Sequence, residues 1–268
     1  MKTRQMMQSE CQPGDGTLRN LSLWALLCGA MALDAQAQPI GVFPEGGNDA
    51  QAAQLADYPA SAETWIWSVD YSHHTVVKKD FISHIIDEYD SNGMETTRYC
   101  YDTSDQLDSK TIFQYTDNGQ KRVSTTYSKT GERTLQTLYA YTADGYLARM
   151  RFTDADAVTI STTEVGIANG STTTQEIYND SEKVTTTYFY DKSNRLTRIV
   201  KTDGQTTSDM KLALTYSGLP ARGNYSTSSG VQQAYTYEHK VDGHGNWIRK
   251  VTYVDGQATE VAERRITY

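Results

Sequence analysis

Five histidines are available for acid–base or metal chemistry: His73, His74, His84, His239 and His244. His73 and His74 are neighbours, and neighbouring side chains of a strand point to opposite faces, so the pair does not make one simple metal site. His244 lies in the turn sequence Asp242-Gly-His-Gly-Asn246. No His-Glu-x-x-His, Cys-x-x-Cys, Gly-x-Ser-x-Gly or phosphate-cradling glycine loop occurs. The residues therefore point to no cofactor, no metal and no catalytic set, and lean towards a non-enzymatic protein. The carboxylates say the same. Asp90, Asp102, Asp117, Asp144, Asp191 and Asp242 stand where strands turn, and an Asp there caps backbone N–H groups. The Asp102–Asp105 and Asp242–Asn246 groups lack the acidic residue that completes a calcium-binding EF-hand loop. Whether two carboxylates pair across a glycosidic bond is a question of distance in space, which spacing along the chain does not answer.

The aromatics offer a second chemistry. The chain has 19 Tyr against 5 Phe, and every Tyr follows residue 57. Tyr joins an apolar ring to a polar tip, which suits a sheet face that stays partly wet. Trp65, Trp67, Tyr188, Tyr190, Tyr237, Trp247 and Tyr253 are the expected binding face, suited to stacking on sugar rings or to packing a protein partner. The competing expectation is that these rings fill the core.

The elements that must position these rings read as strands. Turn signals recur from Asp90–Gly93 and Thr103–Asp105 through Lys192–Asn194 to Asp242–Gly245 and Asp255–Gly256, separated by roughly a dozen residues, the spacing of a strand plus a tight turn. Asn118-Gly119 and the Asp-Gly pairs at 144–145, 203–204, 242–243 and 255–256 predict type I′ hairpin turns, with φ > 0 at both central residues. Between turns the residues alternate. Val184, Thr186, Tyr188 and Tyr190 share one face, as do Trp247, Arg249, Val251 and Tyr253. Phe81–Tyr89 reads as a strand, because its apolar residues form no helical stripe. The expected fold is all-β: a long antiparallel meander of repeated hairpins, about a dozen or more strands, forming a twisted open, curled or spiral sheet.

The N-terminus reads as an export signal. Lys2, Arg4 and Arg19 precede an apolar run from Leu21 to Leu33 that is too short to span a bilayer, and Ala35-Gln36-Ala37 has the small-x-small pattern of a cleavage site. Residues 1–37 are thus the expected signal peptide, 38–63 a flexible linker and 64–268 the β-hairpin repeat domain. Removing Cys11 and Cys28 with the leader would leave Cys100 alone, without an internal disulfide. The leader carries three basic residues (Lys2, Arg4, Arg19) and three acidic ones (Glu10, Asp15, Asp34), so its loss leaves the net charge of −8 unchanged. An acidic domain without a basic run is unsuited to nucleic acid. No integral membrane span is expected after signal removal.

Tyr188-Phe-Tyr-Asp-Lys-Ser-Asn-Arg-Leu196 resembles the Y-x-Y-D-x-x-G-R-L core of the YD (RHS-type) repeats, with Asn194 in place of the Gly. Tyr139-Ala-Tyr-Thr-Ala-Asp-Gly-Tyr-Leu147 is a second match, Tyr99–Asp102 with Leu107 a third, and Tyr235-Thr-Tyr237 leading to Gly245-Asn-Trp247 a fourth. The resemblance implies a secreted sheet of β-hairpin repeats. In the large members such repeats spiral into a shell around cargo, for which this chain has too few, so a small stand-alone member of the Gram-negative cell envelope is implied. The expected function is a secreted or periplasmic, non-enzymatic repeat protein that binds a partner protein or cell-surface polysaccharide. The alternatives are a carbohydrate-binding or carbohydrate-processing envelope protein and a lipid-carrying curled sheet.

Overall fold

The structure, a computed structural model, describes residues 55, 57–73, 75–168, 171–178, 182–193 and 195–268. The expected signal peptide, the linker up to residue 54, His74 and Asn194 lie outside the described residues. Sixteen strands follow in order: β1 (Ser61–Ser72), β2 (Thr75–Tyr89), β3 (Glu95–Tyr101), β4 (Leu107–Tyr115), β5 (Lys121–Ser128), β6 (Arg133–Tyr141), β7 (Leu147–Thr153) and β8 (Thr159–Ala168). The second half continues with β9 (Ser171–Tyr178), β10 (Glu182–Tyr190), β11 (Leu196–Thr202), β12 (Thr207–Leu214), β13 (Pro220–Thr227), β14 (Gln232–Val241), β15 (Trp247–Val254) and β16 (Gln257–Thr267).

Each strand pairs antiparallel with its neighbour in sequence, and β1 pairs with β16, so the sheet closes into a barrel. The all-β hairpin meander is as the sequence predicts; the twisted open, curled or spiral sheet is not. Closure runs from Ser61 opposite Thr267 to Ser68 opposite Glu260. The physical reason is edge pairing: the first and last strands would otherwise present two rows of unpaired N–H and C=O groups, and their mutual pairing removes both. That partnership joins residues some 200 positions apart, and no local pattern announces it. The segment before β1 is docked as well. Leu55 packs with Ala62 and Tyr89, and the Ala60 N–H donates to the Thr267 carbonyl at 2.7 Å.

The turns explain both the asparates and the glycines. At Asp90 the backbone N–H donates to the Met94 carbonyl, and the Asp90 carbonyl accepts from Gly93 N–H. The same pair of bonds recurs at Asp102, Thr116, Ser128, Thr142, Asp154, Thr215, Thr227 and Asp242. The fourth residue of these turns takes positive φ: Gly in most, but Asp105 (57°) and Ala157 (62°) in two. This is a type I turn closed by a one-residue bulge, and most of the hairpins carry the matching register shift beside the turn. The type I′ expectation therefore holds at Asp255-Gly256, where both φ values are positive (50° and 81°), and is corrected at Asn118-Gly119, Asp144-Gly145 and Asp242-Gly243. In the first two of these the Gly sits at the bulge, and in the third the bulge position belongs to Gly245. The capping oxygen comes from the first residue. Asp90 Oδ1 accepts from Asn92 and Met94 N–H at 2.8 and 2.9 Å, whereas Thr116 and Thr142, not Asp117 and Asp144, cap their turns. Replacing Asp90 by Ala leaves both donors without this acceptor, and the expected cost is about 1–2 kcal/mol by denaturant unfolding. No loss would show that water replaces the cap fully.

Alternation divides strands such as β1, β4 and β7 into a more buried and a more exposed set. On β4, Ser109, Thr111 and Phe113 are buried while Ile112 and Gln114 are exposed; on β7, Met150 is buried between exposed Arg149 and Arg151. The register links the buried sets into one inward face: Thr64 lies opposite Arg264, Ala62 opposite Asp87, Asp87 opposite Arg98, and Ala262 opposite both Ile66 and Lys250. The inward face is hydroxyl-rich along β4–β10 (Thr111, Ser124, Thr137, Ser161, Thr163, Thr172) and apolar–aromatic along β10–β15. The outward face carries ion pairs such as Arg149–Glu164 and Arg198–Asp209.

Candidate functional site

The inner wall of β10–β15 gathers four of the seven expected ring residues. Ile199, Met210, Tyr235 and Val254 form its buried centre, and Tyr188, Leu196, Leu212, Tyr225 and Tyr237 pack against it half-buried. Gly223 makes room for this packing, because a Cβ there would lie 2.7 Å from Met210 Cε. The Tyr235 and Tyr237 rings stack at 6.4 Å, and His239 continues the row 6.5 Å beyond Tyr237. Tyr190 has its phenol pushed up by burial, and then by the neighbouring Tyr188.

At one end of this wall stands Trp247, 5 % exposed, packed with Ile66, Ala262 and Leu219. A bulge between Lys240 and Val241 turns Trp247 inward while Arg249, Val251 and Tyr253 stay on the outward side. The Arg264 guanidinium lies 3.8 Å over the indole, and the Lys250 ammonium 5.8 Å from it. Arg264 Nε donates to Thr64 Oγ1 at 3.2 Å, while its buried Nη1 has no hydrogen-bond partner among the described residues. Lys250 approaches Glu260 at 3.9 Å. Farther round the inner face, Arg98 pairs with Asp87 (2.7 Å) and Glu95 (3.0 Å), and Lys121 with Glu95 (3.3 Å). Burial drives the Arg264 guanidinium down against the opposing pull of Tyr89 and Asp87, and drives the Glu260 carboxyl up against the pull of Lys250.

The inner His239 titrates low, near 4, first because it is buried and then because Lys250 is close. Its folded form thus holds a proton less tightly than the unfolded chain, whose imidazole titrates near 6.5. Between those values the unfolded state binds more protons, so stability falls as pH drops from about 6.5 to about 4. His239→Gln is expected to flatten the fall in melting temperature across that window. An unchanged slope would place the pH sensitivity on other groups.

The other three expected ring residues face outward. Trp65 stacks on His84 (5.0 Å, 17° between planes), and His84 on Tyr101 (4.5 Å, 18°). His84 is held at both ring nitrogens, by Glu63 Oε1 and Asp105 Oδ1 at 2.9 Å each, and Arg265 pairs with Glu63 and lies 5.4 Å over Trp65. Trp67 carries the Lys78 ammonium 3.6 Å above its ring and meets the Phe81 edge. Tyr253 meets Tyr71 edge-on at 5.9 Å and donates to Glu238 Oε2 at 2.9 Å; burial and that carboxylate push its phenol up to about 12. His84 thus covers one face of the Trp65 ring, and Lys78 one face of the Trp67 ring. Beside Trp65 an open groove of about 570 Å³ is lined by Lys240, Arg249, Arg264 and Arg265 together with the acidic Asp242 and Glu263.

The structure therefore splits the expected aromatic face into an inner group (Tyr188, Tyr190, Tyr237, Trp247) and an outer one (Trp65, Trp67, Tyr253). Sequence reasoning passed over Asp87, Lys250, Glu260 and Arg264. A signal for two of them was present: Ile85-x-Asp87-x-Tyr89 and Ala262-x-Arg264-x-Ile266 set a charge at the parity of apolar neighbours. Cys100 on β3 is buried, and Cys11 and Cys28 lie outside the described residues. Among the described residues no group of three or more His, Cys, Asp or Glu is placed to hold a metal ion, and no helix is long and apolar enough to cross a membrane.

No family model matches the chain, and no curated protein matches it. Among solved structures it is similar to a porin-like protein from Bacteroides uniformis, at 14% identity and TM-score 0.38, over 78% of this chain and 96% of that one. It is similar also to a LolA superfamily protein from Nitrosomonas europaea, at 8% identity and TM-score 0.25, over 88% and 91%. The pore of the Photorhabdus luminescens Tc holotoxin matches at 13% identity and TM-score 0.23, over 64% of this chain and 12% of that one. These scores fall below those of a shared fold, and the functional reading rests on the residues.

Proposed function

We propose that this is an exported protein of the cell envelope that carries an acyl-chain ligand inside its barrel, against the β10–β15 wall. One observation carries the reading: the apolar–aromatic surface of Ile199, Met210, Tyr235 and Val254, with half-buried Tyr188, Tyr225 and Tyr237, faces inward, while the outward face of β7–β8 and β11–β12 carries ion pairs. Moving an apolar chain through water requires that division, with an apolar lining and a hydrated exterior. The hairpin unit is read as a YD-type repeat that here builds the wall of a barrel. Mass spectrometry of an organic extract from the purified, folded protein tests the reading. Acyl chains in near-stoichiometric amount are expected. A clean extract, together with no uptake of a fluorescent fatty-acyl probe, would sink it.

A second reading, binding of a surface polysaccharide or partner protein, is favoured by the outer groove. There Lys240, Arg249 and Arg265 lie beside Trp65 among the acidic Asp242 and Glu263, with Arg249 paired to Glu263 and Arg265 to Glu63, so the groove offers mixed polar contacts next to an indole. An array of anionic and neutral polysaccharides, with Trp65, Trp67 and Tyr253 replaced in turn, tests it. No binding to any member of the array would count against the polysaccharide form.

A further inference from the structure

We infer that Arg264, with Trp247 and Lys250, is the receiving site for the anionic headgroup of a single-chain amphiphile, a carboxylate or a phosphate. The inference rests on the carrier reading and adds the chemical class of its ligand.

Arg264 is 7 % exposed, with its guanidinium 3.8 Å over the Trp247 ring, and Ile66, Ala262 and Leu219 pack in the cluster with Trp247. A guanidinium carries five N–H donors in a fixed fork and does not shed its charge at neutral pH. Here Nε is used on Thr64 Oγ1, and Nη1 is buried with no acceptor among the described residues. Burying a charged donor without an acceptor is costly, and the usual remedies are an ion pair or an oxyanion. The nearby carboxylates are committed elsewhere: Asp87 to Arg98, Glu95 to Arg98 and Lys121, Glu260 to Lys250. A carboxylate or phosphate oxygen at Nη1 satisfies the open donor through a charge-assisted bond. Direction follows from the register. From Trp247 the inward face continues through Lys250 and His239 to Tyr237, Tyr235 and Met210, so a chain attached to the bound headgroup lies along the apolar wall.

Isothermal titration of the purified protein compares decanoate, decyl phosphate and decanol, with acetate and inorganic phosphate as chainless anions. Decanoate or decyl phosphate is expected to bind about tenfold or more tightly than decanol, and whichever is preferred identifies the headgroup. Arg264→Met is expected to erase that preference while leaving decanol binding in place; Arg149→Met, on the outer face, is expected to leave it intact. If Arg264→Met fails to fold, Arg264→Lys takes its place, with the preference reduced rather than lost. Equal binding of acid and alcohol overturns the headgroup site and leaves the carrier reading standing. Failure of all three chain-bearing probes sinks the carrier reading itself. Acetate or inorganic phosphate binding as tightly as its decyl counterpart overturns the inference in favour of a free-anion site.

Discussion

Ending the chain at Gly256, which removes β16, is expected to abolish the folded monomer. β16 is the closing strand, paired to β15 on one side and to β1 on the other. It supplies Glu260, Ala262 and Arg264 to the inner face, and Val261, fully buried, to the outer cluster with Val251 that Trp67, Val69, Tyr71 and Tyr253 cover. Its loss leaves β1 and β15 as exposed edges of apolar and aromatic residues, the arrangement that templates aggregation. The contacts removed represent well over about 5 kcal/mol, comparable to the whole stability of a typical domain. Size-exclusion chromatography and thermal melting check the outcome: aggregate or a non-cooperative melt is expected. A monodisperse monomer melting within a few degrees of the full chain would show that closure is dispensable and that the meander stands as an open sheet.

The second large effect is expected from Asp87→Ala. Asp87 is 1 % exposed, and its carboxylate holds Arg98 at 2.7 Å and acts at longer range on the buried Arg264. Deleting it leaves the buried Arg264 and the half-buried Arg98 with less compensation, and removing one partner of a buried pair costs about 3–5 kcal/mol. Asp87→Asn keeps the shape but not the charge, so it separates the hydrogen bond from the Coulombic part. In an Arg98→Met background the cost of Asp87→Ala is expected to fall, because the orphaned charge is then gone. Denaturant midpoints measure all four chains. A loss under about 1 kcal/mol for the single substitution would mean that water reaches the cluster and solvates the arginines.

These two expectations separate what was legible in the residues from what was not. Turn chemistry was legible because it is local: an Asp or Thr at the first position and a Gly, Asp or Ala at the fourth decide the backbone path over five residues. The bulge was not foreseen. The pairs Asn118-Gly119 and Asp144-Gly145 suit either a two-residue turn or the last half of a longer one, and the choice depends on which strand residues meet. The bulge then decides facing, since one extra residue moves a side chain to the other side. For this reason Trp247, expected in line with Tyr253, sits inside with Arg264 while Tyr253 lies outside.

By itself the sequence determined the strand-and-turn rhythm, the antiparallel meander and the parity that sets Val184, Thr186, Tyr188 and Tyr190 on one face. Each of these depends on interactions between residues a few positions apart. Tertiary structure alone decided that β1 meets β16, that the Tyr-bearing wall is the concave one, and that Asp87, Arg98, Lys250 and Arg264 share one interior. Those outcomes come from closing the sheet: the sum of twist, bulges and strand number over the whole chain brings the two edges together, and only a closed sheet has an inside.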